Sequence, residues 1–291
     1  MKLGTIYGYV LISNKHIQED ELKEMREFCN FIAFPAFEPD EYDLWDSKNE
    51  RKELAIIFQK RLERYKSYGF KIAVMNPFFS YILEKDMKSW SEALNWMASD
   101  AKEAMKLIDV FYIFDEPDIN PSVTVEMLED AIGLFKKHFS QIPTSICFAK
   151  VTPEALLFEA PRNLDIPAID PYLFSQYGSD EQGFLNFWKD NLKKKLEWIN
   201  QQNKPWLLVG DSFRSVLPDV KAMPTPEQTR WYQYIVLTQQ LCIGLVWFYY
   251  GGEKRDENLE GFRLNLFPEI EKVHRLTGTI LLKTSLKTVF Q

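Results

Sequence analysis

Two adjacent acids close an apolar run. Asp109-Val110-Phe111-Tyr112-Ile113-Phe114 leads directly into Asp115-Glu116-Pro117. A run so rich in aromatic and β-branched residues reads as a buried strand. Carboxylates at the end of such a strand are costly to desolvate unless something uses them. Burial and mutual repulsion push the pKa values of neighbouring carboxyls apart, one staying ionised while the other holds a proton near neutrality. That is equipment for acid and base chemistry. The same pair also suits a solvated turn opened by Pro117, so the rest of the chain must decide.

Eight strand-like runs alternate with helix-like sequence. The strands are Thr5–Ile12, Asn30–Phe37, Phe70–Asn76, the run ending in the two acids, Thr144–Ala149, Ile166–Ile169, Pro205–Val209 and Ile243–Tyr250. Helical patterns follow at about Gln18–Phe28, Asn49–Ser67, Ser89–Leu107, Val125–Phe139, Pro153–Phe158, Glu181–Gln201, Pro226–Leu241 and Pro268–Leu276. In the second of these, Leu54, Ile57, Phe58, Leu62 and Tyr65 fall on one stripe, and Gly69 stands at the C-terminal end. Continuous apolar strands are what a sheet covered by helices requires. Eight such units predict an α/β protein built as a single (β/α)8 TIM barrel over residues 1–291. A doubly wound open sheet is the competing fold, but no Gly-rich turn follows the first strand.

In a barrel of this kind the catalytic face gathers the C-terminal ends of the strands. Those positions hold Glu38, Asn76, Asp115, Glu116, Asp170, Tyr172, Asp211, Trp247, Tyr249 and Tyr250. The long segments Glu38–Ser47 and Ser212–Thr225 fall on the same face. The set is rich in carboxylates and aromatics and poor in His, Cys, Lys and Arg. Carboxylates supply general acid and base, and aromatic faces stack on the apolar face of a sugar ring, so the set suits cleavage of a glycosidic bond. Glu116 is the expected acid/base, Asp115 its partner, and Asp211 or Asp170 the second carboxylate. Asn76, Glu38, Tyr172, Trp247, Tyr249 and Tyr250 are expected substrate contacts.

Composition narrows the alternatives. A net charge of −7 argues against a nucleic-acid partner. The cluster Lys193-Lys194-Lys195 lies in a helical pattern and reads as a solvated face. Cys29, Cys147 and Cys242 are widely spaced and read as buried free thiols, with neither a disulfide framework nor zinc spacing. No run of 18 apolar residues predicts a membrane span. Met1-Lys2-Leu3-Gly4-Thr5 runs straight into a strand, which suggests a cytoplasmic protein or an exported one whose signal has been removed. His16, His138 and His274 are scattered, and no HExxH, P-loop or GxGxxG occurs, so no cofactor is expected.

Over nearly its whole length the chain resembles the (β/α)8-barrel glycoside hydrolases. In the largest clan of these, an Asn-Glu-Pro sequence ends the fourth strand, its Glu acting as acid/base, and a second Glu ends the seventh as nucleophile. Asp115-Glu116-Pro117 takes the first position here with Asp for Asn, whereas the seventh strand closes on Asp211. Trp247 resembles the aromatic that floors the sugar site. The Asp-Glu pair is also similar to that of β-N-acetylhexosaminidase-type barrels. That likeness implies Glu116 as acid and Asp115 as the residue orienting the substrate's own acetamido nucleophile, with Tyr172 or Tyr249 bonding its oxygen. Two other functions fit the strand-end residues: a catalytically silent barrel that binds carbohydrate or protein, and a divalent-metal enzyme with Asp115, Glu116, Asp170 and Asp211 as oxygen ligands.

Overall fold

A computed structural model of the chain describes residues 4–11, 17–150, 153–171, 192–211, 213–215, 225–250, 259–261 and 268–283. Eight parallel strands close into a barrel in sequence order. They are β1 (Ile6–Leu11), β2 (Phe31–Pro35), β3 (Lys71–Met75), β4 (Val110–Asp115), β5 (Thr144–Phe148), β6 (Ile166–Ile169), β7 (Trp206–Asp211) and β8 (Cys242–Tyr250). A helix follows each strand: α1 (Glu19–Arg26), α2 (Arg51–Ser67), α3 (Met87–Ser99), α4 (Val125–His138), α5 (Pro153–Leu157), α6 (Lys193–Gln201), α7 (Pro226–Thr238) and α8 (Pro268–Lys283). The open-sheet alternative is therefore excluded. The seam pairs β8 with β1, Gly244 opposite Ile6 and Trp247 opposite Tyr9. Gly244 permits that approach, since a Cβ there would sit 2.2 Å from the Ile6 carbonyl oxygen.

Alternation along the strands makes two cores. Ile6, Phe31, Ala33, Ala73, Val110, Cys147, Ile166, Ala168, Leu207 and Val246 fill the barrel interior. Residues of the opposite parity, Tyr7, Tyr9, Ile32, Phe34, Ile72 and Trp247 among them, pack outward against the helices. Those helices bring matching apolar stripes, such as Leu54, Phe58, Leu62 and Tyr65 on α2.

The single helix expected over Ser89–Leu107 is two, α3 and a short turn at Lys102–Met105. The long segment Glu38–Ser47 folds into a 3-10 turn, Pro39–Glu41, and a short helix, Tyr42–Asp46. Trp45 in that helix meets Phe78 at a tilt of 51°, ring centroids 4.3 Å apart, so the segment packs onto the core beside the mouth. Past β7, Phe213–Ser215 pairs antiparallel with Leu259–Gly261, joining the connections that follow β7 and β8.

Candidate active site

The strands β4 and β6 each carry an aspartate at both ends, and the two ends differ. At the N-terminal end Asp109 accepts from the Ile72 amide at 2.7 Å and pairs with Lys66. Asp165 likewise accepts from the amide and hydroxyl of Thr144 and pairs with Lys136 at 2.5 Å. These carboxylates are neutralised and staple neighbouring strands. At the C-terminal end Asp115, Glu116 and Asp170 crowd together at the mouth.

A bulge sets which acid looks inward. Between β4 and β5 the register steps from Tyr112 opposite Ser145 to Phe114 opposite Ile146, and Asp115 lies opposite Cys147. Strict alternation from Val110 and Tyr112 would turn Asp115 outward; the extra residue reverses the phase. Asp115 therefore lines the barrel cavity with Tyr112, Ser145, Cys147 and Asp170. Glu116 follows with φ 46° and ψ 51°, a left-handed turn that non-glycine residues seldom adopt. Its amide donates to the Cys147 carbonyl at 2.9 Å, so the turn is held by one further rung of the ladder. Below it Asp118 accepts from the amides of Ala149 and Lys150 at 3.0 and 2.6 Å, tying this turn to the end of β5.

The electrostatics follow from burial. Tyr112 donates to Asp115 Oδ1 at 2.6 Å. The Asp115 carboxyl is water-accessible yet recessed in the mouth, and desolvation raises it above the usual range, the Tyr112 bond partly opposing. Asp170, 2% exposed, is raised well above the carboxylate range, first by burial and then by the charge of Glu116 and a hydrogen bond with it. Glu116, half-buried, is raised mainly by desolvation, the Asp170 hydrogen bond opposing and the charges of Asp115 and Asp118 adding to it. Two carboxyls in hydrogen-bond contact cannot both ionise cheaply, so the pair retains a proton to higher pH than a free carboxyl does.

Sequence reasoning missed two of the neighbouring groups. Lys195 is not on a solvated face: it is fully buried, with its ammonium lowered to about 8 by desolvation and propped up by Asp170. The signal was present, because Lys195 stands on the stripe Leu192, Leu196 and Ile199 while Lys193 and Lys194 point to solvent. Cys147 is a buried free thiol as expected, but it faces the carboxyls, and burial followed by Asp170 and Asp115 pushes it up.

Three expected contacts lie elsewhere. Trp247 has the parity of the outward core: it donates to the Tyr7 hydroxyl at 2.8 Å and stacks on His274 at 4.2 Å, with no exposed surface. It cannot floor a sugar from there. Asn76 spends its amide on the Ile113 carbonyl at 3.1 Å and the Phe78 amide at 3.0 Å, fixing the turn after β3. Glu38 is 3% exposed, its amide donates to the Glu41 carboxylate at 2.8 Å, and its charge raises Tyr65 in the strand–helix layer. None of the three lines the cavity. Asp211 closes β7 with its backbone opposite Phe248. Its side chain, those of Tyr249 and Tyr250, and the whole of Tyr172 lie outside the described residues.

No family model and no curated protein matches the chain. Solved structures do. A β-glucuronidase from an uncultured Clostridium sp. aligns at TM-score 0.61 and 14% identity over 96% of this chain and 50% of that one. The GH2 β-galacturonidase of Eisenbergiella tayi gives 0.62 and 13% over 95% and 51%. GH26C from a Muricauda sp. gives 0.65 and 11% over 95% and 85%. The chain thus spans about half the length of the first two. At these identities the likeness establishes the fold alone, a closed (β/α)8 barrel.

Proposed function

We propose that the chain is a glycoside hydrolase that cleaves an O-glycosidic bond of an oligosaccharide or glycan by carboxylate acid/base catalysis. The observation that carries the reading is Glu116: a half-buried carboxyl at the barrel mouth, hydrogen-bonded to the buried Asp170 and raised above the ordinary carboxyl by desolvation. Glu116 delivers its proton to the leaving oxygen. Before the transfer Asp170 shares that one proton with Glu116 and holds it at the mouth. Asp115, held by Tyr112, orients the substrate.

Hydrogen-bonded carboxyls are closer than the roughly 5 Å of retaining pairs or the roughly 6.5–9.5 Å of inverting ones. Asp170 is therefore the modulator of Glu116 rather than its opposite number across the sugar. That part falls to Asp211, or to the substrate's own acetamido group if the sugar is an N-acetylhexosamine. The test is Glu116→Gln on a panel of aryl glycosides. The panel includes N-acetylglucosaminides, and uronides because two of the structural neighbours are a glucuronidase and a galacturonidase. Loss of about 10²–10⁴ in turnover with unchanged folding is expected; undiminished turnover refutes the assignment. A silent carbohydrate- or protein-binding barrel is the second reading. It is favoured by the end of the seventh strand, where Asp211 stands with no Glu beside it. Glycan binding without turnover across the panel would select it.

A further inference from the structure

Beneath Glu116, Asp115 and Asp170 stand beside two donors that the proposed acid chemistry leaves idle, Cys147 and Ser145. A carboxylate oxygen of Asp115, the Cys147 sulfur and a carboxylate oxygen of Asp170 all lie within 4.8 Å of one another. They line the same cavity as Ser145. Ser145 is 2% exposed, and its Oγ has no hydrogen-bond partner among the described residues; Asp170 Oδ1 likewise meets no N–H or hydroxyl donor there. The rest of the wall is apolar, Ala33, Ala73, Ala168 and Val246 among it. Buried polar atoms are rarely left unanswered, and each such case needs a reason.

A cation supplies one, because a bound divalent ion is the largest charge in its surroundings and turns clustered acids from a liability into ligands. The donor set also selects the metal: a thiolate beside two carboxylates is softer than the all-oxygen set that suits magnesium or calcium. We infer that Asp115, Cys147 and Asp170 form a binding site for zinc, or a divalent ion of similar softness, on the barrel axis, with Ser145 Oγ beside it.

Zinc bonds of about 2.0–2.3 Å place neighbouring ligand atoms roughly 3.3–3.8 Å apart, so the three donors need to close by about 1.5 Å at most. The Tyr112 hydroxyl on Asp115 and the Glu116 carboxyl on Asp170 are the outer partners that orient metal ligands. The cavity of about 50 Å³ has room for an ion with a water or two. Binding exchanges the Cys147 thiol proton, and that of Asp170, into solvent as the metal–sulfur and metal–oxygen bonds form. The site differs from the four-carboxylate set expected from sequence: sulfur enters, and Asp211 is not needed.

The full chain, stripped of metal, is titrated with Co²⁺ and with Zn²⁺ while absorption and bound metal are measured. One equivalent of Co²⁺ should give a thiolate-to-cobalt charge-transfer band that Zn²⁺ bleaches and Mg²⁺ does not. Cys147→Ser should abolish the band and weaken binding at least about tenfold, while Cys29→Ser, in the outer core, keeps both. A wild-type chain without the band overturns the inference, and so does a band that survives Cys147→Ser. Should Cys147→Ser fail to fold, Asp170→Asn is the second variant and must lose the same affinity. None of these readouts involves glycoside turnover, so failure here leaves the Glu116 assignment standing, and the reverse.

Discussion

Trp247 separates a structural account of the barrel from a substrate-contact account. Its indole is buried between β8 and α8, bonded to the Tyr7 hydroxyl and stacked on His274. Trp247→Phe keeps an aromatic face but removes the N–H and the ring atoms beyond a phenyl. Losing buried apolar atoms worth two to three methylenes costs about 2 kcal/mol. The missing hydrogen bond adds about 1 kcal/mol, because the Tyr7 hydroxyl keeps its own donation to the His274 carbonyl at 2.7 Å and loses only an accepted bond. About 3 kcal/mol in a chain of this size lowers Tm by roughly 6–12 °C. Urea unfolding followed by circular dichroism measures it, with glycoside KM taken on the same preparation. An aromatic floor would give the opposite pattern: unchanged stability and a raised KM. That result would refute the parity argument that turns Trp247 away from the cavity.

Two further outcomes depend on pH. The Asp170 carboxyl is raised by burial, so its favourable contribution is complete below the ordinary carboxylate range and is lost as pH rises through the raised value. Asp170→Asn should flatten the alkaline fall in unfolding free energy; an alkaline slope matching wild type would refute it. His274 behaves in the other sense. Burial lowers its ring to about 3. The neutral ring stabilises fully above about 6.5, and up to about 5 kcal/mol is lost as pH falls to 3, at about 1.36 kcal/mol per pH unit. His274→Phe should remove most of that acid slope in urea titrations at pH 4 and 7, and an unchanged slope would place the buried acid sensor elsewhere.

The alternation of eight apolar runs with helical stripes made the barrel legible, because covered parallel strands demand continuous hydrophobicity and each strand had its helix. Strand-end positions then nominated Asp115, Glu116 and Asp170, and the structure brings these three together. Asp170 was readable from parity alone, lying two residues beyond Ala168 on the inward face. Trp247 was misread because position along a strand was used without parity, which sends it to the same side as Tyr9. Lys195 was misread because its charge was weighed and its place on the stripe of Leu192, Leu196 and Ile199 was not.

By itself, then, the order of residues determined the strand and helix succession, the closure number and the end of the barrel where acids collect, since these follow from local hydrophobic period. The inward turn of Asp115, the contact between Glu116 and Asp170, and the meeting of Cys147 with both required three dimensions. A one-residue bulge reverses every side chain beyond it, and carboxyls 54 residues apart become neighbours only when β4, β5 and β6 lie side by side.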